Sequence, residues 1–578
     1  MDTNLVTLKR LNIVLAFCVV LLCLVFTYFF FGFYFSEYEG LNIALLSGSL
    51  TPGMTFRSVY FSGNQVISHF YSLLYEYYPN VEWISWLEYF WMLIAGVLAM
   101  LALNKTLQTL RLSIVVKSVS MAVVYLLVFS DHQIHLIYTR VAYLVCGVSL
   151  ISIIVFFEDR FAIKNKWGWL LGLNFFFAIG TFIRNEAAIA CVLLILPFAL
   201  IYLKRVKHTA LLFVLPLLLV GGQSLFFALD IKNASDKEFH KQVEPDIEEQ
   251  FIARGNLVPI SFMKTYRDTV MYQMAAEMTF SDPKIMSAPL LRSLILPEKM
   301  IFTDIRQWRR VLSELEEFFL KYWYLVLIVL LLSGALFMQY DFHEQKFGWI
   351  YFWVFVLSFW GLTTAQTYVD KVNERSWIPY IGLFILCHIL LLTRSIQTGF
   401  SRKLYPIIVG CTVLALINLY HLKHESNQLQ KEVEVQQKQL QVIKALAANR
   451  ILTVNSTAFS FLFLSNTPFH PFNFSAFNKI YITDSYIMPF LPYYKRYLES
   501  ECKCDIYDYP SFWKYLKSIN GDVLIVSEPH RLNTIRSYLS ELHNFTLSCI
   551  ETETTTLKKI RKEYSENIDE FRLYQLDK

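Results

Sequence analysis

Charge is what this chain has least of. Asp, Glu, Lys and Arg make up 17% of its 578 residues, against roughly 25% in an ordinary soluble domain. With 55% hydrophobic and 16% aromatic residues and a mean hydropathy of +0.40, that deficit excludes a soluble protein. The net charge of +5, from 52 basic and 47 acidic residues, forms no basic tail and so excludes nucleic acid as a partner. Internal repeats, low-complexity tracts and zinc-like spacings of Cys and His are missing, and no A-x-A-like cleavage site follows the first apolar run. That run is therefore expected to be a retained span.

Apolar runs, by contrast, are abundant. A helix crosses a bilayer with about 20 mostly apolar residues. Eleven runs approach that length, near 11–35, 83–103, 112–130, 136–157, 167–183, 187–203, 209–229, 322–340, 348–368, 376–393 and 404–420. With the N-terminus in the cytoplasm, Lys9, Arg10, Lys105, Arg111, Arg160, Lys164, Lys166, Lys204, Arg205, Lys207, Lys346, Arg394, Arg402 and Lys403 all fall inside. The short outer connections then hold only Arg140, Arg184, Lys371 and Arg375, and this asymmetry fixes the expected orientation. An odd number of spans sends the C-terminus outside.

Residues 1–420 thus read as a transmembrane module with outer loops at about 36–82 and 230–321. A polar helical stalk follows over 421–450, with Leu429, Val433, Leu440 and Ile443 at roughly helical spacing. Over 451–578, β-rich runs (Ile451–Val454, Lys479–Thr483, Asp505–Tyr509, Asp522–Ser527, Thr546–Ile550) alternate with helical ones (Ser511–Ile519, Arg531–Leu542). That alternation predicts an extracytoplasmic α/β domain. Six of nine cysteines lie in apolar runs, where a thiol behaves as a small hydrophobe. In an oxidising compartment Cys549 could pair with Cys502 or Cys504.

The residues that could carry chemistry cluster at the outer face. Glu37-Tyr38-Glu39 leaves the membrane directly after the first run, and two carboxylates beside a bilayer could serve as a general base. An interfacial acidic turn that merely ends the helix is the alternative. Ile183-Arg184-Asn-Glu186 places an arginine against the charge bias, where its planar fork could meet an anionic phosphate or simply pair with Glu186. Tyr138-Thr-Arg140 and Asp370-Lys371-Val-Asn-Glu-Arg375 repeat the theme. Glu88 is the acid at membrane depth, and such carboxylates are functional candidates by default.

These elements together resemble the GT-C superfamily of polytopic glycosyltransferases, including phage-type glucosyltransferases and protein-mannosyl and aminoarabinose transferases. Glu37-Tyr38-Glu39, Ser47-Gly48, the stretch from Asn64 to Tyr78 and Trp83 to Trp86 follow the family's order of acidic pair, small-residue turn, juxtamembrane helix and second span. The family usually shows Asp-Asp or Asp-Glu, so Glu-Tyr-Glu is a departure; counting back from Ser47-Gly48 puts Glu39 ahead of Glu37 as the base. The resemblance implies an inverting, single-displacement transfer from a polyprenyl-phosphate sugar to an extracytoplasmic glycan, lipid or protein in a bacterial inner membrane. It also implies Arg184, Arg375, Arg140 and Lys371 as donor-phosphate contacts, with Glu186, Glu88, Tyr38 and Asn64 in support. Metal is optional in that superfamily: an acid-x-acid pair offers oxygen ligands to Mg²⁺ or Mn²⁺, but two carboxylates alone make a poor site, and no metal is assigned. A flippase of lipid-linked sugars and a non-catalytic assembly protein are the rival readings.

Overall fold

The computed structural model describes residues 2–35, 43, 47, 65–110, 112–157, 166–204, 206–233, 257–276, 290, 293–295, 305–339, 348–369, 374–395, 405–447, 450–455, 468–470, 479–483, 499–503, 509–519, 523–552, 555–564 and 572–577. Its helices are α1 Asp2–Phe30, α2 Gln65–Tyr77, α3 Trp83–Leu107, α4 Ile114–Ile134, α5 Tyr138–Phe157, α6 Lys166–Ile183, α7 Asn185–Leu203 and α8 Val206–Asn233. They continue as α9 Tyr266–Ala276, α10 Ile305–Lys321, α11 Trp323–Gln339, α12 Gly348–Val369, α13 Glu374–Ser395 and α14 Tyr405–Leu446. Seven are long and apolar enough to cross a membrane, and the pair α10–α11, bent by 86°, makes an eighth if it is one span. The chain is a multi-pass integral membrane protein.

Burial sorts these helices into centre and periphery. In α5 and α13, 89% and 94% of the apolar window is enclosed by protein, whereas in α1 and α8 only 28% is. A helix hydrophobic on every side and surrounded by others is the middle of a bundle; α1 and α8 turn most of their apolar surface outward, to lipid. Small residues let the central helices approach. A Cβ built on Gly147 of α5 would stand 2.3 Å from Leu383 Cδ1 of α13, with two more Leu383 atoms within 3.0 Å.

Two features hold the end of α1. The backbone after α1 forms strand β1 (Tyr34–Phe35), which pairs in parallel with β2 (His135–Leu136) in the α4–α5 connection. The unsatisfied carbonyls at the end of α1 are met from α14: Lys423 Nζ donates to the Phe30 carbonyl and Ser426 Oγ to the Phe31 carbonyl. α14 is one helix of 42 residues, about 63 Å long at 1.5 Å per residue. The region expected as a stalk is thus continuous with the apolar half of the same helix.

Beyond α14 lies a five-stranded sheet of β3 (Ile451–Asn455), β4 (Lys479–Thr483), β5 (Val523–Ser527), β6 (Cys549–Glu551) and β7 (Arg572–Leu576), in the order β4-β3-β5-β7-β6. β3 runs parallel to both β4 and β5, and β7 is antiparallel to β5 and β6. Every residue of β5 is buried, as a strand covered on both faces requires. Helices α15 (Tyr509–Ser518), α16 (Pro529–His543) and α17 (Thr555–Tyr564) accompany the sheet. The strand expected over Asp505–Tyr509 is corrected at Tyr509, which opens α15, while 505–508 lie outside the described residues. Pro510 suits a first helical turn, where its missing N–H costs nothing. Among the described residues no disulfide joins Cys502 and Cys549, and Cys504 lies outside them.

Gly147→Ala should lower the melting temperature of the detergent-solubilised protein, because the added methyl must displace the Leu383 side chain at a cost of about 1–3 kcal/mol. Gly172→Ala, where no atom lies within 4 Å of the new Cβ, should leave it unchanged or slightly higher.

Candidate functional site

The polar residues of the bundle gather where α4 ends and α5 begins. Asp131, in the last turn of α4, accepts a hydrogen bond from Arg140 Nη1 in the first turn of α5, and both are almost wholly buried. The same Nη1 donates to the Asp131 carbonyl at 3.3 Å, and the Tyr89 hydroxyl donates to the Gln133 carbonyl at 2.8 Å. Helix α4 ends buried, so its last carbonyls must find donors from elsewhere, and these side chains supply them. The surroundings remain under-satisfied: Arg140 Nε, both ring nitrogens of His132, Ser130 Oγ and Gln133 Oε1 are buried without a hydrogen-bond partner among the described residues.

Arg184 stands at the α6–α7 turn and reaches the same segment. Its Nη1 donates to Tyr138 Oη at 3.0 Å and to Thr139 Oγ1 at 2.9 Å, and the guanidinium lies 5.7 Å from the Tyr138 ring centroid. Its Nε sits 3.6 Å from Glu186 Oε2, whose side chain is 74% exposed. An ion pair on open surface contributes little.

A second chain of charges closes the other side. Lys321 Nζ, at the α10–α11 corner, is 2.7 Å from Glu374 Oε1 and 3.6 Å from Glu425 Oε1, and Glu425 Oε2 is 3.7 Å from His135 Nε2 of β2. Arg375 follows Glu374 in the first turn of α13 and is half-buried.

No protein-family model, curated protein or solved structure matches the chain. The site is therefore read from its own geometry.

Of the residues singled out from the sequence, Arg184 is bonded to Tyr138 and Thr139, which precede Arg140, Arg140 is bonded to Asp131, and Arg375 follows Glu374, the partner of Lys321. Glu186 lies exposed at the rim, and Glu88 is buried in the second turn of α3. Glu37, Tyr38, Glu39, Asn64 and Lys371 lie outside the described residues. Phe35, held in β1 beside Leu136, precedes Glu37 by two residues. Among the described residues no three His, Cys, Asp or Glu side chains are grouped to hold a metal ion.

Sequence reasoning missed Asp131, His132, Lys321, Glu425 and one further acid, Glu82. The Tyr75 hydroxyl of α2 donates to Glu82 Oε1, and the Ile84 N–H donates to Tyr75 Oη at 3.3 Å. Glu82 Oε2 and Ser85 Oγ, both buried, have no partner among the described residues. Burial pushes the Glu82 carboxyl up from its ordinary 4.5 to about 8, and burial with the nearby carboxylate raises the Tyr75 hydroxyl well above its ordinary value. Glu82 is therefore largely protonated near neutral pH.

Two outcomes follow from this geometry. Arg140→Met strands the buried Asp131 carboxylate and should destabilise the protein by about 3–5 kcal/mol; adding Asp131→Asn should recover part of that loss in thermal unfolding, since no unpaired charge remains. For Glu82 the folded-state pKa is raised, so its stabilisation is complete below the unfolded value near 4.5 and is lost as pH climbs through about 8. Glu82→Gln should flatten the decline of melting temperature between about pH 5 and about pH 9; an unaltered slope would place the titration elsewhere.

Proposed function

We propose that this protein is a GT-C-type membrane glycosyltransferase, moving a sugar from a polyprenyl-phosphate donor to an acceptor hydroxyl on an extracytoplasmic glycan, lipid or protein. The observation that carries the reading is that Arg184 is bonded to Tyr138 and Thr139, the two residues before the buried Arg140, just after strand β2, whose partner β1 precedes Glu37-Tyr38-Glu39 in sequence. Eleven crossings follow if the seven long apolar helices, the bent pair α10–α11, the two shorter apolar helices Trp167–Ile183 and Trp349–Ala365, and the apolar half of α14 each span once. The basic-residue asymmetry supports a cytoplasmic N-terminus, with the sheet as an extracytoplasmic domain of a bacterial inner-membrane protein.

In the chemistry we infer, Glu39, with Glu37 second, takes the proton from the acceptor hydroxyl as its oxygen attacks the anomeric carbon. The bond from that carbon to the phosphate oxygen breaks with inversion, and the leaving polyprenyl phosphate carries off the electron pair. Donors aimed at that developing charge lower the barrier. Asp131 already neutralises Arg140, so the phosphate falls chiefly to Arg184, whose side chain is 37% exposed, with Arg375 and Lys371 as further contacts. Arg140 then holds the Tyr138-Thr139 segment on which Arg184 rests.

The 86° break at Tyr322 favours a second reading, transport of lipid-linked sugars, because transporters use interrupted helices at their binding sites. One assay separates the two. Purified protein supplied with polyprenyl-phosphate sugars and a membrane extract should transfer sugar, Glu39→Gln should abolish transfer, and Arg184→Gln should lower kcat about 100-fold, as loss of one charge-stabilising donor does. Donor binding with no transfer by the wild-type chain would reject the transferase.

A further inference from the structure

One stripe of α3 carries an aromatic recess already filled by the protein itself. Trp86 and Tyr89 lie three residues apart on α3 and share a face. Phe33, between α1 and β1, stacks on Tyr89 with ring centroids 4.4 Å apart. Into this floor, from the segment between β3 and β4, comes Phe469, its ring 4.6 Å from Trp86, 5.0 Å from Tyr89 and 6.2 Å from Phe33. The Phe469 backbone has φ +82°, the left-handed region that bulky side chains avoid. Strain of this kind persists only where surrounding contacts enforce it, and it gathers at ligand clamps.

We propose that the recess formed by Phe33, Trp86 and Tyr89 is a stacking subsite for the apolar face of a pyranose ring, and that Phe469 occupies it until the sugar arrives. The choice of ligand rests on the glycosyltransferase reading; the displacement rests on the rings and the backbone. Aromatic faces bind the C–H face of a sugar while its hydroxyls need polar partners at the edge. Trp86 is 53% exposed at the rim of the recess, where the edge of a stacked sugar would meet solvent. Release of Phe469 also frees its backbone from the left-handed region. Phe33 precedes Glu37 by four residues in sequence.

The test uses the full-length protein in lipid nanodiscs, free of glycoside detergents, with methyl glycosides of glucose, galactose and N-acetylglucosamine as probes. Phe469→Gly, which removes the competing ring and accepts the same φ, should bind at least one glycoside about tenfold more tightly than the wild type, and adding Trp86→Ala should erase that gain. Phe469→Asn gives the same reading should glycine loosen the segment, because Asn also tolerates positive φ. In the wild-type chain, saturating glycoside should raise deuterium uptake at the Phe469 and His470 amides; unchanged or lower uptake overturns the proposal, as does a gain in affinity that survives Trp86→Ala. A Phe469 that is only a structural tether would lower the melting temperature on substitution without tightening binding. Sugar transfer with an unchanged KM in Phe469→Gly rejects the subsite and leaves the transferase standing. Glycoside binding that displaces Phe469 without any transfer does the reverse.

Discussion

The Asp131–Arg140 ion pair is the interaction on which the end of the bundle at the α4–α5 junction depends. Removing both charges from water costs several kcal/mol per ion, and their attraction repays it only with close geometry and further hydrogen bonds. At the α4–α5 junction the geometry is close and Arg140 also takes up the Asp131 carbonyl, while Arg140 Nε stays unmet among the described residues. The pair fixes the short connection between the two helices, and β2 lies within that connection. β2 in turn holds β1, and with it the exit of α1. Arg184 leans on Tyr138 and Thr139 one residue away, and the charges of Lys321, Glu374 and Glu425 close around the same point.

The helices were legible because an apolar run long enough to cross a bilayer needs no periodicity to be recognised. Arg184 was legible for the opposite reason, as a charge standing where the bias forbids it. Asp131 was not. It lies in the closing turn of an apolar run, where a polar residue looks like an ordinary helix end, and its partner is nine residues further on across a turn of unknown shape. Glu82 was hidden differently: beside a polar loop it reads as a solvated acid, and only tertiary packing against Tyr75 reveals its burial. Phe469 left no signal of any kind, since neither its φ nor its ring partners, more than 370 residues away in sequence, can be read from Pro-Phe-His.

The sheet shows the same division. Parallel β3, β4 and β5 were readable from β-branched runs bounded by turn residues, and the buried centre of β5 from its unbroken apolar stretch. β7 and α17 were overlooked because Arg572-Leu-Tyr-Gln-Leu576 is short and follows a highly charged segment. Yet β7 joins β6 to β5 and completes the sheet order. A strand's importance to topology has no counterpart in its length or hydrophobicity.

The bonds from Lys423 and Ser426 to the last carbonyls of α1 set an order on biogenesis. The Ser426–Phe31 contact links residues 395 positions apart, and a ribosome adding about 5–20 residues per second needs roughly 20–80 s to supply the second partner after the first. During that interval α1 is in the membrane without the α14 side chains that meet its last carbonyls. α1 receives its final geometry from α14, so a helix made early is finished only when one made much later arrives.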